Sequence, residues 1–385
     1  MKKILSILCL ALALTSCKTR TSSGITAKQA DAIEARLDSM TVREKVGQLF
    51  CVRPEALDVA LEWDTDEKLA SFKLQSVNER MLRVNREYPV GGIILFAHNI
   101  EDEAQISTFQ SSLKALNGEP LLYVDEEGGR VARIANNPNF KVQKFSSMAN
   151  VAQKGDIKEA FNCGLTIGKY LKHYGFNVDL APVADVNTNP QNPVIGTRAF
   201  SGDPAVAAKM VTAYMKGLEE EGIISCLKHF PGHGDTKTDS HFGYAQTLKT
   251  WEEIDACEMV TFKAGIRAGA PMIMTAHIAA PKVTGSDIPS TLSPVILGEK
   301  LRGELGFQGV IITDAMAMGA ITKQYNSADA AVLAIIAGAD IVLCPKDFRE
   351  AFDGVVKAVE DGIISAERLD ESVRRVLVLK ARYQN

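Results

Sequence analysis

The chain has 385 residues, of which 46% are hydrophobic and 23% are charged, and its formal net charge is −4. These values are typical of a globular protein with a real core, built as one large α/β domain or two ordinary ones. The slightly acidic balance gives no reason to expect nucleic acid or an anionic membrane surface as a partner.

Residues 1–17, MKKILSILCLALALTSC, have the pattern of a targeting segment. Two lysines precede an apolar run at residues 4–14, which is too short for a transmembrane helix. The run ends in small residues before Cys17 and looks like a bacterial lipoprotein signal, with cleavage before Cys17 and lipidation of that cysteine. An ordinary secretory signal with a chance cysteine is the alternative. Residues 18–26 then form a polar tether without an acidic cluster, and we expect the protein in the cell envelope, anchored to the outer membrane and facing the periplasm.

The folded part is expected at residues 27–385 and alternates strand-like and helix-like segments. A capping box, Thr41-x-x-Glu44, precedes an early helical segment. The strand-like runs are short and apolar: residues 47–52, 91–96, 120–124, 178–183, 223–227, 271–275, 309–313 and 340–343. Helical patterns lie between them at residues 102–116, 158–174, 204–221, 252–268, 294–305 and 329–337. Eight apolar strands with intervening helices predict an α/β fold, namely a single-domain (β/α)8 TIM barrel.

Polar residues follow most of these strands, where barrel enzymes place their reactive groups. The residues in question are His98, Asp125, Asp185, Lys228, His229, His277 and Asp314. The structural alternative is an open doubly wound sheet, which would have a glycine-rich turn after its first strand. Cys51–Arg53 offers no such turn.

Five cysteines follow the targeting segment, an odd number scattered along the chain. Cys51, Cys226 and Cys344 lie in apolar strand-like runs. The sequence therefore favours buried free thiols over a disulfide framework.

Residues 228–243, KHFPGHGDTKTDSHFG, concentrate polar side chains in a segment that proline and glycine keep from being a regular helix. In the pair Asp239-x-His241, a carboxylate can fix the imidazole tautomer and leave the other ring nitrogen to move a proton. A metal site is the rival hypothesis, since His229 and His233 are four residues apart. Pro231 and Gly232 break the helix that this spacing requires, and we expect no metal and no cofactor.

At this point the chain resembles glycoside hydrolase family 3, and within it the single-domain β-N-acetylglucosaminidases of the peptidoglycan-recycling type. The matching stretches run through most of the chain: MTVREKVGQLF (40–50), VGGIILFAHNIEDEAQ (90–105), VDEEGGRVAR (124–133), FNVDLAPVADVN (176–187), NPVIGTRAF (192–200), KHFPGHGDTKTDSH (228–241), MTAHI (274–278) and GFQGVIITDAMAMGAI (306–321). The segment KHFPGHGD…DSH is highly specific.

The resemblance implies a retaining mechanism with Asp314 as the nucleophile. From the residues alone, Asp314 could equally be a helix N-cap before residues 315–320. The resemblance also implies that His241, paired with Asp239, replaces the usual second carboxylate as the general acid/base. The chain ends soon after the predicted barrel, so we expect the acid to come from a barrel loop.

The resemblance further implies that five side chains near the strand ends bind the sugar: Asp125, Arg133, Arg198, Lys228 and His229. Salt bridges within the barrel mouth are the alternative role, most credible for Glu126, Glu127 and Arg130. The expected partner is a β-linked N-acetylglucosamine glycoside, such as a peptidoglycan fragment, which the protein would hydrolyse from its end. A β-glucosidase or xylosidase of the same family and a non-catalytic sugar-binding lipoprotein are the alternatives.

Overall fold

A closed ring of eight parallel strands forms the centre of the molecule. The structure is a computed structural model that describes residues 24–58, 73–236 and 245–383. The ring strands are β1 Phe50–Val52, β2 Gly92–Leu95, β3 Leu121–Val124, β4 Val178–Asp179, β5 Ile224–Phe230, β6 Met272–Thr275, β7 Val310–Ile312 and β8 Val342–Leu343. Their order in the sheet is β7-β6-β5-β4-β3-β2-β1-β8.

Both ends of this order meet, which closes the barrel. On one side of β8, Phe50 is in register with Val342 and Cys51 with Leu343. On its other side, a parallel bridge joins Ile312 to Ile341, and the Thr313 N–H donates to the Ile341 carbonyl at 2.9 Å. The predicted (β/α)8 barrel is therefore confirmed.

Each strand overlaps a run that the sequence predicts, because these side chains are buried on both faces of the sheet. The bounds differ in places, since Gly47 and Gln48 belong to α2 and β5 continues to Phe230. One apolar cluster draws residues from all eight strands, among them Cys51, Tyr123, Cys226, Met274 and Leu343. This cluster fills the barrel interior. Residues that alternate with them along the strands pack outward against the surrounding helices.

Helices cover the outside of the barrel and connect its strands. They are α1 Ala27–Ser39, α2 Val42–Gln48, α3 Glu55–Asp58, α4 Glu79–Glu87, α5 Glu103–Lys114, α6 Met148–Gln153, α7 Ile157–His173, α8 Pro204–Glu220, α9 Trp251–Ala256, α10 Glu258–Arg267, α11 Pro281–Thr284, α12 Val295–Glu304 (π-helical), α13 Gly319–Thr322, α14 Ser327–Ala337, α15 Phe348–Glu360 and α16 Ala366–Tyr383. Short 3₁₀ turns occupy Ala97–Asn99, Gly196–Arg198 and Ser290–Leu292.

The start of α2 shows the predicted capping box. The Thr41 hydroxyl accepts from the Glu44 N–H at 3.3 Å, and the Glu44 carboxylate accepts from the Thr41 N–H at 2.8 Å. Two otherwise unpaired backbone donors are thereby satisfied.

Two helix predictions differ from the structure. The single helix expected at residues 252–268 is wrong, because Cys257 has the non-helical angles φ −123° and ψ −77° and separates α9 from α10. The helix expected at residues 294–305 forms with the wider π-helical turn. The structure also contains α15, a helix that was not predicted from the sequence.

The cysteines Cys51, Cys226 and Cys344 are buried and free, as predicted. Within the ranges that the structure describes, no helix is both long and apolar enough to cross a membrane.

Candidate active site

A cavity of about 430 Å³ opens at the carboxyl end of the barrel strands. Six predicted site residues line it: Asp125, Arg133, Arg198, Lys228, His229 and Asp314. The predicted acid/base pair, Asp239 and His241, and the predicted lipidation site, Cys17, lie outside the described residues. The structure therefore brings together, in one cavity, all the predicted site residues of the barrel that it describes.

Asp125 follows β3 and is held between two cations. Its Oδ1 accepts from the Lys228 ammonium at 2.9 Å, and its Oδ2 from an Arg133 guanidinium nitrogen at 3.3 Å. Burial alone would raise the pKa of this carboxyl, but the charges of Lys228 and Arg133 outweigh it and lower the pKa below its ordinary value. Asp125 is thus an ionised hydrogen-bond acceptor on the cavity wall.

Glu127 joins two further cations of the cavity. It forms two parallel bonds with Arg198, at 2.8 Å from Nε and 2.7 Å from Nη2, and its Oε1 lies 2.7 Å from the Lys228 Nζ. Against the effect of burial, Arg198 and Lys228 hold the pKa of Glu127 well below its usual range. Burial lowers the pKa of Lys228, but the charges of Asp125 and Glu127 outweigh it and raise that pKa above its ordinary value. Both cations therefore stay charged.

His229 is oriented by the carboxylate of Asp185. Its Nδ1 lies 2.7 Å from Asp185 Oδ2, and its Nε2 lies 3.4 Å from Arg198 Nη2. Because a carboxylate only accepts, Nδ1 carries the proton, and in the neutral ring Nε2 is the acceptor that faces Arg198. Asp185 does not line the cavity, so it acts through His229.

Hydrogen bonds of His233 hold the start of the loop after β5. The His233 N–H donates to Asp185 Oδ1 at 2.6 Å, and His233 Nδ1 lies 2.5 Å from the Thr236 hydroxyl. Burial lowers the pKa of His233, which favours the neutral ring.

The two histidines of the metal hypothesis each use one ring nitrogen within the protein. His229 directs Nδ1 to Asp185 and His233 directs Nδ1 to Thr236, and their ring centroids are 6.2 Å apart. Among residues 24–58, 73–236 and 245–383, no three His, Cys, Asp or Glu side chains are grouped so that they could hold a metal ion.

Asp314 lies two residues beyond the end of β7 and is tied to the neighbouring strand. Its N–H donates to the Thr275 carbonyl at 3.1 Å, and its Oδ1 accepts from the Ala315 N–H at 2.7 Å. The next helix, α13, begins at Gly319 with Met318 as its N-cap residue. Asp314 therefore does not cap this helix, and the alternative role that the sequence left open does not apply.

The segment that carries Arg133 is organised by the buried Glu126. Its carboxylate accepts from the backbone N–H groups of Arg133, Ile134 and Ala135 at 2.6, 2.8 and 2.9 Å, and from the Tyr170 hydroxyl at 2.8 Å. Arg130 donates to the Val194 carbonyl. Of the three residues considered for salt bridges, only Glu127 forms one among the described residues.

Arg53 and Phe96 line the cavity but are not predicted from the sequence, and Glu127 is expected only as a salt-bridge residue of the barrel mouth. Arg53 places its guanidinium 4.3 Å from the Phe96 ring centroid, a cation–π contact. A signal for Glu127 was present, since it follows Asp125 by two residues in an extended segment and so shares its face. Arg53 carries the same signal as Asp125, since it comes directly after a strand, β1. Its partner Phe96 is 43 residues further along the chain and comes directly after β2.

Comparisons with known proteins identify the family of this chain. The family model described as "Glycosyl hydrolase family 3 N terminal domain" matches residues 41–379. "Beta-hexosaminidase A" of Pseudoalteromonas piscicida is 38% identical over 322 residues, which are 77% of this chain and 54% of that protein. A beta-hexosaminidase of Pseudomonas aeruginosa is 34% identical over 270 residues, which are 70% of this chain and 79% of that protein.

A solved structure is similar over most of the chain. The glycoside hydrolase family 3 beta-N-acetylglucosaminidase from Paenibacillus sp. str. FPU-7 superposes with a TM-score of 0.79 at 35% identity, covering 90% of this chain and 63% of that one. The chain thus spans about half of the Pseudoalteromonas relative and less than two thirds of the Paenibacillus structure.

Proposed function

The chain belongs to glycosyl hydrolase family 3, and from that membership and the geometry of the cavity we propose that it is a retaining exo-β-N-acetylglucosaminidase. It would hydrolyse a terminal β-linked N-acetylglucosamine, and the relatives named beta-hexosaminidase support this choice of sugar. The observation that carries the proposal is the meeting of Asp314 with five polar side chains suited to sugar hydroxyls in one cavity.

Asp314 is proposed as the nucleophile. In a retaining glycosidase a carboxylate attacks the anomeric carbon and forms a covalent glycosyl-enzyme, which water then hydrolyses. Two backbone bonds fix Asp314, one to the Thr275 carbonyl and one from the Ala315 N–H. This rigidity is what in-line attack on a held sugar requires.

The glycone would be held by the charged wall of the cavity. Asp125, kept ionised by Lys228 and Arg133, accepts hydrogen bonds from sugar hydroxyls. Arg133 and Arg198 donate to hydroxyls or to the acetamido group, and Lys228 and His229 bind the hydroxyl edge of the ring. Charge-assisted bonds of this kind are strong and directional, so the sugar would be held in one pose.

Protonation of the leaving oxygen is proposed for His241, with Asp239 fixing its tautomer. Both residues lie outside the described ranges, so the support for this pair is the Asp-x-His spacing in the sequence. An imidazole with a near-neutral pKa can protonate the aglycone oxygen and afterwards deprotonate the attacking water.

The test of the nucleophile is covalent trapping. The protein is incubated with an activated 2-fluoro glycoside, digested and mapped by mass spectrometry. A label on Asp314 is expected, and a label on any other residue would overturn this role.

The acid/base role is tested with His241→Ala. Substrates with poor leaving groups need protonation, so the variant should lose far more activity on them than on activated aryl glycosides. Equal losses on both would count against the role.

Two further assays test the acceptor and the sugar. Comparing turnover with and without inorganic phosphate shows whether water is the acceptor. An aryl β-glucoside as control substrate separates the proposal from a β-glucosidase.

We also propose that the protein acts on peptidoglycan fragments from a lipid anchor on Cys17 at the outer membrane, facing the periplasm. The support is the segment MKKILSILCLALALTSC. Labelling of growing cells with a radioactive fatty acid should mark the wild type and not Cys17→Ser. Equal labelling of both would refute the anchor.

A further inference from the structure

We propose that His277 is a positioning residue for Asp314, an inference that rests on the proposed function. His277 is buried, with 1% of its surface exposed, and it does not line the cavity. Any effect of this imidazole on a bound sugar must therefore pass through its protein neighbours.

Its first neighbour is the residue next to the proposed nucleophile. His277 Nε2 lies 3.0 Å from the Ala315 carbonyl oxygen. A carbonyl only accepts, so Nε2 carries the proton and donates it. The N–H of the same Ala315 donates to Asp314 Oδ1 at 2.7 Å. The imidazole thus holds the residue that sets the orientation of the Asp314 carboxylate.

The other ring nitrogen of His277 is held in turn. Nδ1 lies 2.8 Å from the Thr291 hydroxyl, which lies 2.6 Å from the Thr275 hydroxyl. With Nε2 donating, Nδ1 of the neutral ring is the acceptor that faces the Thr291 hydroxyl. The Ala276 carbonyl, 3.0 Å from the same hydroxyl, also accepts from it, so Thr291 shares its one proton between this carbonyl and Nδ1 and is itself held in place beside the ring.

The end of β6 therefore holds the segment after β7 at two points. The Thr275 carbonyl accepts from the Asp314 N–H at 3.1 Å, and His277 donates to Ala315 one residue further on. The backbone is thus held at Asp314 and at Ala315, and the Ala315 N–H in turn donates to the Asp314 carboxylate. A misplacement of about 1 Å at a reacting group can cost about 100-fold in rate.

Two substitutions of His277 separate positioning from simple packing. His277→Gln keeps a donor that reaches towards Ala315 and an acceptor for Thr291, whereas His277→Leu keeps neither. With an aryl β-N-acetylglucosaminide, we expect kcat of His277→Leu to fall by roughly 10- to 100-fold and KM to change by less than about threefold. His277→Gln should recover kcat to within about fivefold of the wild type.

A third variant covers the case in which His277→Leu fails to fold. Thr291→Val removes one hydroxyl at nearly constant volume and should lower kcat about threefold to tenfold, with N-acetylglucosamine binding by calorimetry unchanged. Wild-type kcat in His277→Leu or Thr291→Val, or a loss seen only in KM, would overturn the inference while leaving the proposed function intact. Absence of cleavage by the wild type would overturn the proposed function and the inference with it.

Discussion

Glu127 and Arg198 form a two-bond ion pair beside the cavity, with side chains only 1% and 11% exposed. Lys228 Nζ shares the same carboxylate at 2.7 Å. One buried anion thereby compensates two cations that are expected to bind the sugar.

The first prediction concerns Glu127→Gln, which removes this compensation while keeping the shape of the side chain. Removing one partner of a buried pair typically costs about 3–5 kcal/mol, because the other charge is left uncompensated. We expect a loss of this size in the free energy of unfolding, measured by urea denaturation, together with reduced kcat/KM.

The control for Glu127→Gln is Glu119→Gln on the surface. Glu119 lies 2.8 Å from Arg36, but the two side chains are 63% and 38% exposed. Exposed pairs contribute about 0–1 kcal/mol, so this control should change stability by less than about 1 kcal/mol. Similar effects of the two substitutions would contradict the importance of the buried pair.

The second prediction concerns Asp340 at the entry to β8. This fully buried carboxylate contacts Arg302, lies 3.1 Å from Arg375 Nη1, and accepts from the Ser372 hydroxyl at 2.7 Å. Asp340→Asn would leave the arginines without their shared anion, and we expect a loss of about 3–5 kcal/mol in the free energy of unfolding.

A matched surface change is Asp361→Asn, which breaks an exposed pair with Lys357. Thermal and urea denaturation of both variants checks the contrast. Equal stability of Asp340→Asn and the wild type would refute the prediction. Because Asp340 lies at the end of the barrel away from the cavity, KM should stay near the wild-type value in any Asp340→Asn protein that is folded.

The third prediction concerns the buried amine of Lys380 on α16. Its Nζ donates to the Gln48 side chain at 2.7 Å and to the Gly118 and Glu119 carbonyls at 2.8 Å. Burial lowers its pKa to about 7. Between pH 7 and about 10.4 the unfolded chain therefore binds more protons than the folded protein, so folding stability rises with pH.

The measurement is the free energy of unfolding at pH 7, 8 and 9 for the wild type and Lys380→Met. The wild type should gain up to about 1.4 kcal/mol per pH unit relative to the variant, since other titrating groups are common to both. Parallel curves would show that the Lys380 pKa is not lowered. The variant also lacks the hydrogen bonds that tie α16 to the barrel, of which the ammonium can donate three and the neutral amine two.

The fourth prediction concerns Asp179 on β4, which is fully buried and accepts from the Glu126 N–H at 3.0 Å. Burial raises its pKa well above the ordinary value. The folded protein therefore keeps a proton that the unfolded chain loses above about pH 4, and stability falls as the pH rises through this range. Asp179→Asn keeps the accepting oxygen and removes the titration.

We therefore expect Asp179→Asn to gain stability relative to the wild type as the pH rises from 4 to 8, measured by urea denaturation. A constant difference across this range would contradict a raised pKa. Activity at neutral pH should stay close to the wild-type value, because Asp179 does not line the cavity.

The barrel could be predicted from the sequence because its signals are local. Each strand is a short apolar run, and the polar groups that follow the strands stand at their carboxyl ends. Asp125, Lys228 and Asp314 were found in this way, since each lies within two residues of the end of a buried strand.

The pairing inside the cavity could not be predicted, because it depends on residues far apart in the chain. Glu127 meets Arg198 and Lys228 across 71 and 101 positions, and only the curvature of the sheet brings them together. The break between α9 and α10 was also missed, since no proline or glycine marks Cys257 and both flanking segments have helical patterns.

Lys228 on β5 and Arg198 in the turn that follows β4 share two carboxylates that both follow β3. No single segment of the chain therefore contains the binding wall. Grafting one loop onto a different scaffold would transfer a charge without its counter-ion. A designer who wishes to transplant this sugar site must move the consecutive strands β3, β4 and β5 with their register intact.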